Sequence, residues 1–175
     1  MSEWVRRHRR NIGIPFLFVA LLLAHYENRY LLLSVFLVAI GEFLRIWSSG
    51  HLQKEKVFTT GGPYRRIRNP LYLGSFLIAV GFCLISGSPW IWLLVFAYFG
   101  FCYLPVIRYE EKVLAQKFPE EYPPYVSIIP AFYPSWKPYP VSTTRFSWHQ
   151  VVANKEYNAL LGIVTVYIYL LLLRA

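Results

Sequence analysis

Residues 30–48 read YLLLSVFLVAIGEFLRIWS, an apolar run whose only acid is Glu42 and whose only base is Arg45. A helix that crosses a bilayer needs roughly 20 mostly apolar residues. This run is therefore long enough to span a membrane as a single helix. A chain built around such a segment is not an ordinary water-soluble domain, so the run decides the fold class.

The composition of the whole chain supports this interpretation. Hydrophobic residues make up 56% of the 175 residues, and charged residues make up 15%, against about 25% in a typical soluble domain. The chain has only two cysteines, Cys83 and Cys102, which are too few for a disulfide framework. Its nine acidic residues are all glutamates, which argues against EF-hand or paired-aspartate metal sites. A net charge of +9 alone would fit nucleic acid, but the hydrophobicity favours a membrane. We therefore expect neither a nucleic-acid partner nor a metal.

Four more apolar runs accompany residues 30–48. They are Ile12–Tyr26, Leu71–Ser86, Pro89–Ile107 and Asn158–Leu173. The pattern predicts an all-α integral membrane protein with about five transmembrane helices, joined on the cytoplasmic side by loops and short interfacial helices. We expect one domain over residues 1–175. It comprises a helical hairpin (12–48), a core (51–134) and a C-terminal helix (158–173).

The lysines and arginines predict the orientation of these spans. With five spans, all but two of the 18 basic residues fall on one side, and the exceptions are Arg29 and Arg174. Positively charged loops favour the cytoplasmic face, so we expect a multi-pass protein whose N-terminus and chemistry face the cytoplasm. Two of the predicted cytoplasmic segments, His51–Pro70 and Arg108–Tyr157, are too long to be simple turns. In the second, residues 108–118 suggest an interfacial amphipathic helix that is broken by Pro119 and by Pro123–Pro124.

The first cytoplasmic segment contains GGPYRRIRNPLY, residues 61–72. Asn69 is a favourable N-cap and Pro70 suits the first helical position, so the third membrane helix should begin there. Its free N–H groups and three nearby arginines would suit an anionic group such as a carboxylate or phosphate. An ordinary helix cap with arginines at lipid headgroups explains the same residues.

Two further sets of charges lie at or near membrane depth. Glu110 and Glu111 are adjacent at the end of the fourth run, where they could bind ribose hydroxyls or an amino group, or simply pair with nearby arginines. Glu42 and Arg45 are three residues apart, so they share a helix face and can pair. Ionisable residues within a bilayer usually face a bundle interior, although Arg45 could also extend to the cytoplasm.

Taken together, these segments resemble a known superfamily. Residues 62–64 read GPY, 68–74 read RNPLYLG and 110–114 read EEKVL, followed by Phe118, Tyr122 and Tyr125. The pattern is similar to the GPY…RHPxYxG and EExxL motifs of the isoprenylcysteine carboxyl methyltransferase and phospholipid methyltransferase superfamily, over roughly residues 41–134. One departure is Asn69, where the family usually has a histidine. Asparagine keeps a donor and an acceptor but cannot become cationic.

The resemblance implies an integral-membrane methyltransferase that binds S-adenosylmethionine on the cytoplasmic side. The core at 51–134 would be the cofactor-binding core, with the cytoplasmic loops and short interfacial helices forming the cofactor pocket. Its acceptor would be lipophilic or amphiphilic, an isoprenylcysteine-type carboxylate or a lipid amine, and would enter sideways from the bilayer. The implied catalytic residues are Arg45, Arg68 and Glu111. The implied cofactor-binding residues are Gly62, Tyr64, Arg68, Asn69, Pro70, Tyr72, Glu110 and Glu111. Two alternatives stay open: an NADPH-dependent membrane reductase of the sterol-reductase type, and a non-enzymatic membrane protein.

Overall fold

A computed structural model describes residues 15–53 and 57–172, which form helices and loops with no β-strand in those ranges. The expected all-helical fold is confirmed. The α-helices are α1 (15–23), α2 (Leu31–His51), α3 (Pro70–Ile85), α4 (Pro89–Tyr98), α5 (Leu104–Lys117), α6 (Tyr122–Ile128), α7 (Trp148–Ala153) and α8 (Tyr157–Leu172). The described residues also form two 3₁₀ turns, Asn28–Tyr30 and Gly62–Arg65, and a π-helical segment, Phe99–Tyr103.

Two helical stretches are long and apolar enough to cross a membrane. They are Asn28–His51 with 24 residues and Pro89–Lys117 with 29 residues, while the apolar helices α3 and α8 have 16 residues each. Large apolar side chains on the two long stretches point outward, such as Leu32 at 86% exposure and Phe101 at 79%. A lipid environment suits such a surface. The number of spans and their orientation remain predictions.

Helices α2 and α3 form the tightest pair, because glycines let their backbones meet. A β-carbon on Gly41 would lie 2.7 Å from the carbonyl oxygen of Gly74, and one on Gly74 would lie 2.6 Å from that of Gly41. No side chain fits at such distances, so the close approach depends on glycine. It places the end of α2 beside the beginning of α3, where the predicted site lies.

The predicted helix at 108–118 is present and ends at Lys117, just before Pro119, but it is not a separate element, because α4, the π-helical segment and α5 form one continuous helix. The π turn comes just before Pro105, which has no N–H to donate. The π turn widens the helix at the point where Pro105 cannot donate the ordinary i→i−4 hydrogen bond. Pro123 and Pro124 do not act as breakers either. They lie in the first turn of α6, where backbone N–H groups have no partner within the helix, so a proline there loses no helical hydrogen bond.

Above one end of the bundle lies a small aromatic core made of Phe58, Tyr122, Tyr125 and Ile129. It fixes the loop after α2 against α5 and α6. Residues 130–147, which we call the strap, then run back over this loop towards α7. Asn154 donates to the carbonyl oxygens of Ser49 and Leu52 at 3.0 and 2.9 Å, which ties the entry of α8 to the end of α2.

Candidate functional site

The beginning of α3 meets the paired glutamates of α5, and we call these residues the α3–α5 cluster. Asn69 Nδ2 donates to Glu111 Oε1 at 3.2 Å, and Arg68 Nη1 lies 3.3 Å from the same oxygen. The Tyr72 hydroxyl donates to Glu110 Oε2 at 2.9 Å. Five of the residues predicted from the sequence are thus brought together, although they come from two segments some 40 positions apart in the chain.

Asn69 occupies the N-cap position of α3, as predicted, but its side chain makes no capping hydrogen bond. It reaches Glu111 instead, so the first-turn N–H groups of α3 receive no help from this side chain. Beside it, the Nε of Arg68 is buried without a hydrogen-bond partner. A buried donor in that state is costly unless something binds it. The cluster therefore has unused capacity for an anionic or hydrogen-bond-accepting group.

Tyr64 lies behind the cluster, and its backbone carbonyl accepts a 2.8 Å hydrogen bond from the buried Tyr125 hydroxyl. Burial raises the pKa of Tyr64 far above its usual value, and the nearby charges of Glu110 and Glu156 act in the same direction. Burial likewise raises the pKa of Tyr125, which Arg68 partly offsets. Both phenols therefore stay protonated at neutral pH and act as neutral hydrogen-bonding groups.

The glycine and proline of the predicted set have packing roles in this structure. Gly62 has a φ of +55°, and a β-carbon there would lie 2.4 Å from the ring of His51. Only glycine combines this backbone conformation with so close a contact. Pro70 is fully buried in the first turn of α3. Both residues shape the loop that presents Arg68 and Asn69.

The strap holds the backbone of this loop from above. The N–H groups of Arg68 and Asn69 donate to the carbonyl oxygens of Pro130 and Ala131, at 2.9 and 3.1 Å. Further along, the N–H of Ser135 donates to the carbonyl oxygen of Arg66 at 2.8 Å. The positions of the Arg68 and Asn69 side chains thus depend on residues that the sequence motifs did not include.

Arg45, predicted as catalytic, belongs to a second cluster, which we call the α2–α8 cluster. Its Nη2 lies 2.6 Å from Glu156 Oε1, its Nε lies 3.8 Å from Glu42 Oε2, and its Nη1 donates to the hydroxyl of Ser75. Sequence reasoning found the Glu42 pairing but missed Glu156, which is the closer partner. The sequence signal that could have identified Glu156 is its position as a single acidic residue just before the apolar run 158–173.

A cavity of about 410 Å³ extends from Arg45 into the bundle between α1, α3, α4, the π-helical segment and α8. We call it the slot. Its lining follows α3 from Ser75 to Ser86, a distance of about 16 Å at the helical rise per residue. Apart from Arg45 and Ser75 at one end, its lining is mainly apolar. Tyr103 lines the slot and packs edge-on against Tyr72, with ring centroids 5.4 Å apart, so the slot adjoins the α3–α5 cluster.

Residues 29–121 match the model of the phospholipid methyltransferase family. The chain belongs to this family. The matched region includes the whole α3–α5 cluster together with Arg45, which confirms the resemblance based on the two motifs. The membrane nature of the protein follows from the family and from the two long apolar helices. The strap, Glu156 and α8 lie outside the matched residues.

Two curated relatives are similar over most of the chain. The cobalt-zinc-cadmium resistance protein CzcN of Cupriavidus metallidurans is 28% identical over 149 residues, which cover 77% of this chain and 67% of the relative. The nickel-cobalt-cadmium resistance protein NccN of Alcaligenes xylosoxydans xylosoxydans is 27% identical over 146 residues, which cover 77% and 68%. No solved structure matches the chain. Residues 15–53 and 57–172 contain no group of three or more His, Cys or Glu side chains placed to hold a metal ion.

Proposed function

We propose that this protein transfers a methyl group from S-adenosylmethionine to a lipophilic or amphiphilic acceptor at the cytoplasmic face of a membrane. The observation that carries the proposal is the α3–α5 cluster, in which Arg68 and Asn69 converge on Glu111 while Tyr72 holds Glu110. Membership of the phospholipid methyltransferase family supports it. We further propose about five spans with the N-terminus in the cytoplasm, which would place the cluster at the cytoplasmic face.

The chemistry of the cluster fits the groups of this cofactor. The unpartnered Nε of Arg68 would suit the cofactor's carboxylate, because guanidinium groups bind carboxylates well. Glu110 and Glu111 would accept hydrogen bonds from the ribose hydroxyls or from the cofactor's ammonium group. When bound, the cofactor supplies a methyl group on a positively charged sulfur, which is already reactive towards nucleophiles. The protein's residues then have to align the two reactants and exclude water.

The slot supports a lipid-like acceptor. A hydrocarbon chain would lie along its apolar lining, with the head group near Arg45 and Tyr103, next to Tyr72 of the α3–α5 cluster. In this proposal Arg45 orients the head group, and Glu156 holds Arg45 in place. A carboxylate acceptor would need no general base, whereas a protonated amine would have to lose a proton first.

The experiment that tests the proposal measures S-adenosylhomocysteine binding to the detergent-purified protein by calorimetry. We expect binding by the wild type and clearly weaker binding by Asn69→Ala, because the amide that orients Glu111 is lost. Asn28→Ala is the matched control, since Asn28 is exposed and belongs to the 3₁₀ turn before α2. A folded wild type that binds NADPH but not S-adenosylhomocysteine would favour the reductase alternative. Binding of neither would favour the non-enzymatic one.

The names of the two relatives support a second candidate, a contribution to metal tolerance. Methylation of a membrane component would be one way to achieve this. Growth of cells that express the wild type or Glu111→Gln should then be compared in cobalt, zinc and cadmium. Equal growth with and without the wild-type protein would contradict this candidate, whatever the result of the binding assay.

A further inference from the structure

Gly162 in α8 lines the slot and is itself an exposed residue. An exposed residue in the wall of a cavity is expected where that cavity opens. Among the residues that the structure describes, no heavy atom would lie within 4 Å of a β-carbon at Gly162, so no described neighbour requires a glycine there. Tight packing therefore does not account for the glycine, in contrast to Gly41 and Gly74. Because glycine has no side chain, position 162 leaves the mouth of the slot open.

The shape and polarity of the slot indicate what passes through this mouth. The slot follows α3 for about 16 Å, and its charged end is marked by Arg45 while the rest of its lining is mainly apolar. The neighbouring outer face of α8 is apolar as well, with Leu161 62% exposed. A single hydrocarbon chain from a bilayer amphiphile, with its polar head at Arg45, matches this arrangement.

We infer that Gly162 is a specificity-determining residue that keeps the lateral mouth of the slot open for the hydrocarbon chain of the acceptor. The inference rests on the proposed function for the identity of the acceptor, but the opening itself can be tested without any methyl transfer. Gly162 lies about 7.5 Å along the axis of α8 from Tyr157, the first residue of that helix, which directly follows Glu156. A side chain introduced at position 162 would therefore obstruct the chain of an acceptor and leave its head group near Arg45 undisturbed.

The test uses a photoreactive 16-carbon fatty acid with a diazirine at its tail, added to the purified protein in detergent. Cross-linked peptides are mapped by mass spectrometry for the wild type, Gly162→Ala and Gly162→Leu. The matched control is Gly100→Leu. Gly100 is also exposed, and no heavy atom of residues 15–53 and 57–172 would lie within 4 Å of a β-carbon there, yet Gly100 does not line the slot. Labelling of outward-facing residues provides an internal reference, and S-adenosylhomocysteine binding by each variant is measured separately.

We expect the wild type to be labelled at slot residues such as Ile78 and Val166. Gly162→Leu should reduce this labelling about fivefold or more, because it adds bulk where the chain must pass. Gly162→Ala should have a smaller effect in the same direction, and Gly100→Leu should have none. Unchanged slot labelling in Gly162→Leu, or an equal loss in Gly100→Leu, would overturn the inference. Failure of the wild type to bind S-adenosylhomocysteine would instead overturn the proposed function, and the labelling would still decide the role of Gly162.

Discussion

The two arginine–glutamate clusters differ in the distance between the charges and in the burial of the glutamate. In the α2–α8 cluster, Arg45 and Glu156 are 2.6 Å apart, and the Glu156 side chain is 6% exposed. In the α3–α5 cluster, Arg68 and Glu111 are 3.3 Å apart, and the Glu111 side chain is 26% exposed. The two arginines are similarly buried, so the difference is that the closer pair has a buried carboxylate and the looser pair has one that a ligand can reach.

This difference separates a positioning role from a binding role. A buried charge whose partner is removed becomes very unfavourable, so the α2–α8 cluster should govern folding stability. The partly exposed Glu111, shared by Arg68 and Asn69, should contribute more to ligand affinity than to stability. Four variants test this division, in order of decreasing effect.

The strongest loss is expected from Glu156→Ala, which leaves Arg45 without its close partner. The free energy of unfolding should fall by about 3–5 kcal/mol, measured by denaturant or thermal unfolding in detergent. The triple variant Glu42→Leu/Arg45→Met/Glu156→Leu removes all three charges of the cluster, including the buried Glu42, and should recover most of this loss. If the single and triple variants were equally unstable, the unpaired charge would not be the cause.

A smaller effect, on affinity rather than on stability, is expected from Glu111→Gln. Loss of the negative charge should weaken S-adenosylhomocysteine binding by about 10- to 100-fold, because hydrogen bonds to charged groups contribute about 1.5–3 kcal/mol. Calorimetry of the variant beside Glu120→Gln, an exposed glutamate after α5, provides the comparison. Wild-type affinity in Glu111→Gln would remove Glu111 from the proposed cofactor site.

Tyr125→Phe tests whether α6 supports the binding loop. The change leaves the carbonyl oxygen of Tyr64 without its buried donor, which should cost about 1–3 kcal/mol of unfolding free energy. Tyr133→Phe is the control, because Tyr133 is 70% exposed. Equal melting temperatures for these two variants would show that the hydrogen bond to Tyr64 contributes little.

The weakest effect is expected from Tyr72→Phe, which frees Glu110 from one hydrogen bond. The S-adenosylhomocysteine affinity should change by only a few-fold, because in the proposed site Tyr72 affects the ligand through the position of Glu110 and not by direct contact. A change as large as that of Glu111→Gln, measured by the same calorimetry, would mean that Tyr72 contacts the ligand itself.

Much of the helical scaffold was predictable, because its apolar runs are bounded by residues that end helices. The predicted runs 30–48, 71–86 and 158–173 correspond to α2, α3 and α8 within a few residues. The α3–α5 cluster was predictable too, since both of its segments have strong local motifs. The run at 12–26 corresponds to α1 only in part, because residues 12–14 lie outside the described residues.

What the sequence did not reveal depends on long-range contacts without a periodic pattern. The strap bonds to the loop through backbone groups, which every residue has, so its amino acids carry little signal. Glu156 is 111 positions from Arg45 in the chain, and neither residue indicates the other. The run 89–107 predicted a helix through Pro105, but not its continuation from Arg108 to Lys117, because the sequence changes there from apolar to charged residues without a residue that marks the helix as continuous.

The long separation of Arg45 and Glu156 has a consequence for biosynthesis. At about 5–20 residues per second, a ribosome adds the intervening stretch in roughly 6–22 s. During that interval Arg45 has already been synthesised as part of an apolar segment. Glu42, one turn earlier on the same helix, has been synthesised too, and it lies within 4 Å of Arg45 in the folded protein. We therefore expect Glu42 to act as a temporary counter-ion for Arg45 in the nascent chain. A glycosylation reporter of membrane insertion should then show poorer insertion of residues 30–51 in Glu42→Gln than in the wild type. On this view the Glu42–Arg45 pair, 3.8 Å apart in the folded protein, is needed mainly during synthesis, before Glu156 becomes available.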